Sequence, residues 1–391
     1  MAAQFGRALR PLFELAADAT FVNHGSFGAC PKEVLAEQDR IRRVMEAEPD
    51  AFFRQQVMPE GDGATALRAA ISRLAALVGT TEARMAFIEN ATAGIQAVLR
   101  SIDFAPGDRI LVTDHTYNAV RIMVEERCRE TGAEPLVVPI AIPASADDMV
   151  SRVVGAASPA VKLAILDHIT SASALVFPLA RIIPELRARG IRVLVDGAHA
   201  VGQIALDLPR LGPDWYVSNA HKWLYAPKGT AFLYAAEEVA AVTRPNVVSH
   251  FHAMGFPRAF DYTGTRDNSG WLATPAAIDF FERLDPPAAR AYQSGLLRKA
   301  SVMMASLGAQ PVAPLDLCAS MRSFVLPQQR PAAAEDAPAL MRATWQQGRV
   351  QSHASVLGAR LITRVSAQVY VDDEDLARLR DTLERHGWPG R

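Results

Sequence analysis

The chain has 391 residues, of which 50% are hydrophobic, and its 41 basic and 42 acidic residues leave a net charge of −1. This length can bury a large core and indicates more than one domain, while the balanced charge argues against nucleic-acid or anionic-membrane partners. Three well-separated cysteines, no apolar leader and no 18-residue uncharged apolar run predict a cytoplasmic protein without a membrane span.

The first 62 residues are expected to form an N-terminal arm and helices that contribute to a site. Residues 1–20 predict an irregular arm with a short helix, and residues 21–28 a polar loop that contains glycine. Pro31 suits the first turn of a helix that ends near Glu48. Apolar residues recur at helical spacing over 63–78, where a second helix is expected.

Residues 63–280 alternate between strand and helix patterns, which predicts a large α/β domain. Strands are expected at 85–88, 110–112, 136–139, 163–166, 193–195, 215–217 and 231–233, and helices at 92–102, 119–131 and 145–157. This alternation favours a mainly parallel sheet of the seven-stranded type with helices on both faces. Ligands bind such sheets beyond the carboxyl ends of the strands.

Residues 281–391 are expected to form a smaller α+β domain. A long helix over 281–300 leads into it, followed by strands at 321–326 and 361–370. A Pro/Ala-rich turn region lies at 328–336, and a helix is expected at 373–386. The pattern contains no internal repeat.

Lys222 and Asp196 are the residues whose positions point most directly to chemistry. Each follows an apolar strand, and Asp196 precedes Lys222 by 222 − 196 = 26 residues. A lysine is ordinarily exposed, and an aspartate after a strand can simply cap a helix. Together, they fit a Schiff-base lysine for pyridoxal phosphate and a carboxylate that keeps the pyridine nitrogen protonated.

Asn90-Ala-Thr follows a strand and opens a helix, which is the arrangement that binds a phosphate through main-chain N–H groups. An ordinary helix cap explains the same pattern. Asn219 and His221 can add donors, and Gly264-Thr265 forms a second turn of similar character. Tyr117, which follows another strand, offers an aromatic face for a cofactor ring or is a partly exposed loop residue.

Arg364 lies inside an apolar strand and therefore needs an anionic partner. That partner can be a substrate carboxylate, held by two hydrogen bonds, or an acidic side chain of the protein. His250 and His252 would share a face of a strand, but no third ligand accompanies them, so no metal site is expected.

Five segments together are similar to a known family: 23–31 (Asn-His-Gly-Ser-Phe-Gly-Ala-Cys-Pro), 167–171 (Asp-His-Ile-Thr-Ser), 196–199 (Asp-Gly-Ala-His), 221–224 (His-Lys-Trp-Leu) and 264–267 (Gly-Thr-Arg-Asp). Their order and spacing resemble the class V aminotransferases, which are fold-type I pyridoxal-phosphate enzymes. The resemblance covers nearly the whole chain and is strongest to the isopenicillin N epimerase-like branch.

The resemblance implies a role for each matching residue. Lys222, Asp196 and His199 would be the catalytic set, with His199 and Ser171 near the phenolic oxygen of the cofactor. The other cofactor-binding positions would be Ala91, Thr92, Tyr117, Asn219 and His221. Thr265 would reach the phosphate of the other subunit in a homodimer. The substrate side would be formed by Asn23, His24, Gly25 and Arg364.

The expected function is that of a pyridoxal-phosphate enzyme acting at Cα of an amino acid, by epimerisation or β-elimination through a carbanion. The alternatives are a C–S lyase or cysteine desulfurase-like enzyme on a sulfur amino acid or its sulfoxide, and an aminotransferase. Persulfide chemistry is disfavoured because the segment before Arg364 contains His353 but no cysteine. A nucleotide-binding protein is disfavoured because no Gly-x-Gly-x-x-Gly or Walker lysine motif is present. Lys222, Asp196 and Arg364 together argue against a non-catalytic family member.

Overall fold

A seven-stranded sheet forms the centre of the computed structural model, which describes residues 5–58 and 65–388. Its strands lie in the order Met85–Ile88, Ala231–Ala235, Trp215–Ser218, Arg192–Asp196, Val161–Asp167, Arg109–Thr113 and Glu134–Val138. Five neighbouring strands, from Trp215–Ser218 to Glu134–Val138, run parallel, and Ala231–Ala235 is antiparallel to both of its neighbours. This arrangement confirms the predicted mainly parallel sheet.

Helices flank the sheet and bury its central strands, whereas the edge strand Glu134–Val138 is largely exposed. All four residues of Trp215–Ser218 are buried, as expected for a strand covered on both faces. Ser145 caps its helix as predicted, since its side chain accepts from the Asp148 N–H. The helices within and around the sheet are Ala66–Leu77, Ala91–Arg100, Asn118–Thr131, Ala146–Ala156, Leu179–Arg187, Leu208–Leu211, Ala220–Trp223, Glu237–Ala240, Ser269–Leu272 and Thr274–Arg283.

One predicted helix is divided in two. A single helix was expected over 281–300, but Thr274–Arg283 ends and Pro286–Ser306 begins close by. Two successive prolines at 286 and 287 lack N–H donors, so they favour the first turn of a new helix. Asp285, in the left-handed region with φ 52°, caps it by accepting from the Ala288 N–H at 3.4 Å.

A four-stranded antiparallel sheet forms the C-terminal part, in the order His353–Leu357, Arg360–Ser366, Met321–Val325 and Gln310–Pro311. The strand expected at 361–370 ends at Ser366, and the strand His353–Leu357 was not predicted because its pattern does not alternate clearly. The helix Asp336–Gly348 was also missed, whereas Asp373–His386 has the predicted bounds.

The N-terminal segment is attached to the C-terminal part. Thr20–Phe21 pairs in parallel with Val350–Gln351, and His24–Phe27 is a helical turn where a loop was predicted. Lys32–Ala47 and Pro49–Phe52 follow, with Pro31 as the N-cap rather than inside the first turn. The predicted helix start at residue 63 lies outside the described residues. The domain boundaries at 62 and 280 stay predictions.

Candidate active site

A cavity of about 300 Å³ opens at the carboxyl ends of the central parallel strands. The structure brings most of the predicted cofactor residues to its wall: Ala91, Thr92, Tyr117, Ser171, Asp196, His199, Asn219, His221 and Lys222. Ser26 and Phe27, from the N-terminal segment, and Asp167 also line the cavity, although none of these three was assigned a role from the sequence.

Lys222 lies in the helical turn Ala220–Trp223, directly after a central strand. Its Nζ is 3.3 Å from Nε2 of His199. Burial lowers the pKa of Lys222 to about 8, the positive charge of Arg364 acts in the same direction, and Asp196 opposes them. A large fraction of this amine is therefore neutral slightly above neutral pH, as a nucleophile or base requires.

His199 is a buried neutral imidazole. Its main-chain oxygen accepts from Gln203 Nε2 at 2.6 Å, which fixes the turn that carries it. Burial, followed by the charge of Lys222, holds the pKa of His199 well below its usual range. Its Nδ1 is buried without a hydrogen-bond partner among the described residues, so a polar group of a bound molecule would satisfy it.

Two carboxyl groups lie side by side at the floor of the cavity. Asp196 ends its strand and accepts from the Ala198 N–H at 2.9 Å, and Asp167 is its partner in the parallel register. Burial raises the pKa of both groups, and Asp196 raises that of Asp167 further. Asp167 received no role from sequence, although its position at a strand end was a signal.

The helix Ala91–Arg100 begins at the cavity wall. The Ala91 N–H donates to Asn219 Oδ1 at 2.8 Å, and the Ala93 N–H donates to Asn90 Oδ1 at 2.9 Å. Asn219 thus joins the start of this helix to the lysine turn. Thr92 is exposed at the wall, where its hydroxyl and the positive end of the helix suit a phosphate.

His221 contributes to the same wall in a defined tautomer. Its Nδ1 donates to the Thr230 carbonyl oxygen at 2.9 Å, so Nε2 carries no proton in the neutral ring. Burial lowers the pKa of His221 to about 4, and the charge of Lys222 adds to this effect. An anion bound at this wall would raise the pKa of His221.

Tyr117 lies at the wall with 48% of its surface exposed, and it precedes the helix Asn118–Thr131. Thr265 is exposed and does not line the cavity of its own chain, with its Oγ1 2.8 Å from the Tyr262 hydroxyl. Its role in a partner's site stays a prediction.

Arg364 is completely buried and has only neutral partners among the described residues. Its Nη2 donates to Asn23 Oδ1 at 2.9 Å and to Ser26 Oγ at 3.2 Å, and its Nη1 donates to the Ser171 carbonyl oxygen. No carboxylate of the described chain pairs with it, and burial lowers its pKa to about 9. The sequence left two possible partners for Arg364, an acidic side chain of the protein or a substrate carboxylate. The described residues provide no such acidic side chain.

The N-terminal segment supports the site from behind. His24 is fully buried, with Nε2 bonded to the Lys222 carbonyl oxygen at 2.9 Å and Nδ1 to the Tyr370 hydroxyl at 2.8 Å. It is not among the cavity-lining residues, so its position suits a support for the lysine turn rather than substrate contact. Gly25 packs beneath Arg364, where a Cβ atom would lie 3.1 Å from Nη2.

His353 is a polar residue near the site that the sequence left without a role. It is the cross-strand partner of Arg364, so both side chains project from the same face of the sheet. Its Nε2 lies 3.0 Å from Ser355 Oγ. Burial, then the charges of Arg364 and Lys222, hold the pKa of His353 well below its usual range, which leaves it neutral.

The other residues considered from sequence lie elsewhere. The strand expected to carry His250 and His252 does not form, because His252 begins a 3-10 turn. In residues 5–58 and 65–388, no group of three or more acidic, histidine or cysteine side chains could hold a metal ion. Burial raises the pKa of Cys30 to about 12 and that of Cys318 to about 11, so both are thiols at neutral pH.

The site has the donor set that pyridoxal phosphate requires. Lys222 can bond to the carbonyl carbon, Asp196 to the pyridine nitrogen, and Thr92 with the adjoining helix start to the phosphate. Two buried polar atoms, Nδ1 of His199 and Oδ2 of Asp167, have no hydrogen-bond partner in the described chain. The residues present therefore fit the cofactor.

A family model described as Aminotransferase class-V matches residues 31–379, and the chain belongs to this family. The family depends on pyridoxal phosphate, which confirms the cofactor prediction at the level of the family. The resemblance to its isopenicillin N epimerase-like branch is likewise confirmed. Isopenicillin N epimerase of Streptomyces clavuligerus is 31% identical over 93% of this chain and 94% of its own length.

Other relatives carry different names. Putative L-cysteine desulfhydrase 1 of Oryza sativa subsp. japonica is 30% identical over 93% of this chain and 82% of its own length. The solved apo structure of a cysteine desulfurase from Thermococcus onnurineus NA1 is similar with a TM-score of 0.79 and 17% identity, covering 98% of this chain and 99% of that chain. At this identity the structural likeness supports the fold alone. Among residues 5–58 and 65–388, none of the helices combines the length and the apolar composition that a membrane span needs.

Proposed function

We propose that the protein removes the Cα proton of a small α-amino acid and then eliminates a sulfur-containing β-substituent. The observation that carries this proposal is the combination of a buried Lys222, with its pKa lowered to about 8, and a buried Arg364 that has no carboxylate partner in the described chain. Lys222 supplies the base, and Arg364 supplies a site for the substrate carboxylate.

Arg364 orients the substrate. Its guanidinium is held by Asn23, Ser26 and Ser171 through neutral oxygen atoms, two of which belong to residues that line the cavity. A carboxylate can take the place of the Asn23 and Ser26 contacts with shorter, charge-assisted bonds. This exchange fixes the Cα–H bond relative to Lys222.

Lys222 is the group that moves the proton at Cα. Pyridoxal phosphate, when bound, supplies an electron-withdrawing ring that stabilises negative charge at Cα. The neutral amine of Lys222 accepts the proton, and His199 Nε2, 3.3 Å away, holds the amine in place. Asp196, whose negative charge is stabilised by the Ala198 N–H, would keep a proton at the pyridine nitrogen of a bound cofactor.

The size of the cavity favours a small substrate. Its volume of about 300 Å³ lies at the lower end of ligand pockets, and it has to hold the cofactor as well. The relative named L-cysteine desulfhydrase supports a small sulfur amino acid. Persulfide formation on a protein cysteine receives no support, since residues 349–363 contain no cysteine. The Cys30 thiol is buried and donates a hydrogen bond to the Tyr225 carbonyl oxygen.

Epimerisation is the second candidate, and His353 is the observation that favours it. Epimerisation needs a second acid or base, and this neutral imidazole is close enough to Arg364 and Lys222 for their charges to lower its pKa. The relative named isopenicillin N epimerase also supports epimerisation. No particular contact among the described residues favours transamination.

The assembly we propose is a cytoplasmic homodimer. Thr265 and the neighbouring Tyr262 hydroxyl form an exposed polar pair away from the cavity of their own chain. In a homodimer, this pair would complete the phosphate site of the partner. Size measurement in solution tests the dimer, and a Thr265→Ala variant with unchanged cofactor affinity would contradict the contribution of Thr265.

The test combines cofactor attachment with product analysis. The purified protein should be yellow, and borohydride should fix the cofactor to Lys222 in the wild type and in Lys228→Ala but not in Lys222→Ala. With L-cysteine, pyruvate and sulfide should appear in equal amounts. Deuterium exchange at Cα without either product would instead establish epimerisation, and a colourless protein that gains no attached cofactor would refute both candidates.

A further inference from the structure

The two carboxyl groups at the cavity floor are adjacent but are held differently. Asp167 and Asp196 end neighbouring parallel strands and are register partners, so their main chains are about 4.8 Å apart. Both side chains line the cavity and are almost completely buried, at 2% and 4% exposure. Two negative charges at this separation away from water would repel strongly.

The surroundings decide which carboxyl group keeps its charge. Asp196 accepts from the Ala198 N–H at 2.9 Å and faces Lys222, so its negative charge is stabilised. Asp167 accepts hydrogen bonds from the Thr116 side chain and the Tyr117 main chain, but burial and the charge of Asp196 outweigh them and raise its pKa. Its Oδ2 is buried without a partner among the described residues. An unpaired, buried carboxylate oxygen costs much more free energy than the same oxygen in a neutral, protonated carboxyl group.

The other groups near the pair do not supply a positive charge for Asp167. Tyr216 is neutral, and its hydroxyl is bonded to His168 Nδ1 at 2.8 Å. Burial lowers the pKa of His168 to about 4, and His199 is neutral for the reason given above. Lys222 is the cation facing the pair in the described chain, and it lies on the side of Asp196.

We propose that Asp167 is a positioning residue that stays a neutral carboxylic acid, with its proton on Oδ2, so that the pair carries a single negative charge at Asp196. A second negative charge would stabilise the ammonium form of Lys222 and reduce the fraction of neutral amine that can accept a proton. The neutral Asp167 therefore keeps Lys222 ready to accept a proton and leaves Asp196 as the one partner for a pyridinium. The role toward the cofactor rests on the proposed function, whereas the protonation of Asp167 does not.

Infrared spectroscopy tests the protonation directly, in the protein with and without pyridoxal phosphate. The wild type at neutral pH should show the carbonyl stretch of a buried carboxylic acid, and Asp167→Asn should lack that band. In Asp196→Asn, the neighbouring charge is removed, so the band should vanish at a lower pH than in the wild type. A band that at neutral pH persists in Asp167→Asn but is lost in Asp196→Asn would place the proton on Asp196 and overturn the proposal.

The pH dependence of unfolding is a second test. The difference in Tm between Asp167→Asn and the wild type would not change with pH if Asp167 had only a structural role. A carboxyl group whose folded pKa is raised contributes stability at low pH and loses it as the pH rises toward the folded pKa. The Tm of Asp167→Asn relative to the wild type should therefore increase from about pH 4 to neutral pH. A pH-independent difference would overturn the proposal.

The two experiments separate this proposal from the proposed function. If the protein binds no pyridoxal phosphate but shows the band that depends on Asp167, the proposed function fails and the protonated carboxyl stands. If the protein is yellow and borohydride fixes the cofactor to Lys222 but the wild type shows no carboxylic-acid band, the proposed function stands and the proposal for Asp167 fails.

Discussion

His24 Nε2 donates to the main-chain carbonyl oxygen of Lys222 at 2.9 Å, although the two residues are 198 positions apart in the chain. The second ring nitrogen of His24 is bonded to the Tyr370 hydroxyl at 2.8 Å, so one imidazole joins the N-terminal segment, the lysine turn and the C-terminal part. Burial lowers the pKa of His24 to about 3, and this connection therefore persists over the whole physiological pH range.

Replacing His24 with alanine should weaken both folding and catalysis. The Lys222 carbonyl would lose its donor inside the protein, which costs about 1–3 kcal/mol of unfolding free energy. The lysine turn would be less well fixed, so kcat should fall about tenfold with little change in KM. Tyr370→Phe removes a different hydrogen bond of His24, leaves its contact with Lys222 in place, and should have a smaller effect on kcat. Equal kcat in His24→Ala and the wild type would show that this contact does not position Lys222.

Gly25 sets the room available beneath Arg364. A Cβ atom at this position would lie 2.5 Å from Met321 Sδ and 3.1 Å from Arg364 Nη2. Gly25→Ala should therefore displace the guanidinium and raise KM for the amino acid by about tenfold, with a smaller change in kcat. Gly295→Ala is the matched control, because a Cβ atom there meets nothing within 4 Å. Steady-state kinetics that show identical KM values for both variants would contradict the role of Gly25.

The fold could be predicted well where local pattern determines the structure. The apolar strands and their polar ends predicted a mainly parallel sheet and placed Lys222 and Asp196 at the carboxyl ends of its strands. The pairing of Asp167 with Asp196 could not be predicted from the sequence, because it depends on which strands become neighbours in space. The same holds for His353 and Arg364, whose proximity follows from antiparallel register in the C-terminal sheet. Long-range pairing of this kind leaves no local signature in the sequence.

The burial of Lys222 should cost stability in the cofactor-free protein. Its pKa of about 8 lies below the ordinary value of 10.5, and each pKa unit corresponds to about 1.4 kcal/mol. Lys222→Met, of similar volume and no charge, should therefore unfold with a free energy larger by roughly 1–3 kcal/mol at neutral pH. The gain should shrink as the pH rises from 8 to 10.5, because the unfolded chain then gives up the same proton. Chemical denaturation at several pH values measures this difference, and a less stable Lys222→Met protein would contradict it.

Cofactor binding should be linked to uptake of a proton by His221. The neutral ring donates from Nδ1 to the Thr230 carbonyl oxygen at 2.9 Å, so its Nε2 can donate to a phosphate only after protonation. The pKa of about 4 in the cofactor-free protein should rise when a dianion binds beside it. The affinity should therefore increase as the pH falls from about 8 to 6, by at most about tenfold per pH unit for one proton.

Pyridoxamine 5′-phosphate is the suitable ligand for this measurement because it has no aldehyde to react with Lys222. Calorimetric titration in two buffers with different ionisation enthalpies gives the number of protons taken up on binding. The wild type should take up more protons than His221→Gln, since the glutamine amide donates without changing its protonation. The titration of the ligand phosphate is common to both proteins and cancels in the comparison. Equal proton uptake by the two proteins would show that His221 remains neutral when the phosphate is bound.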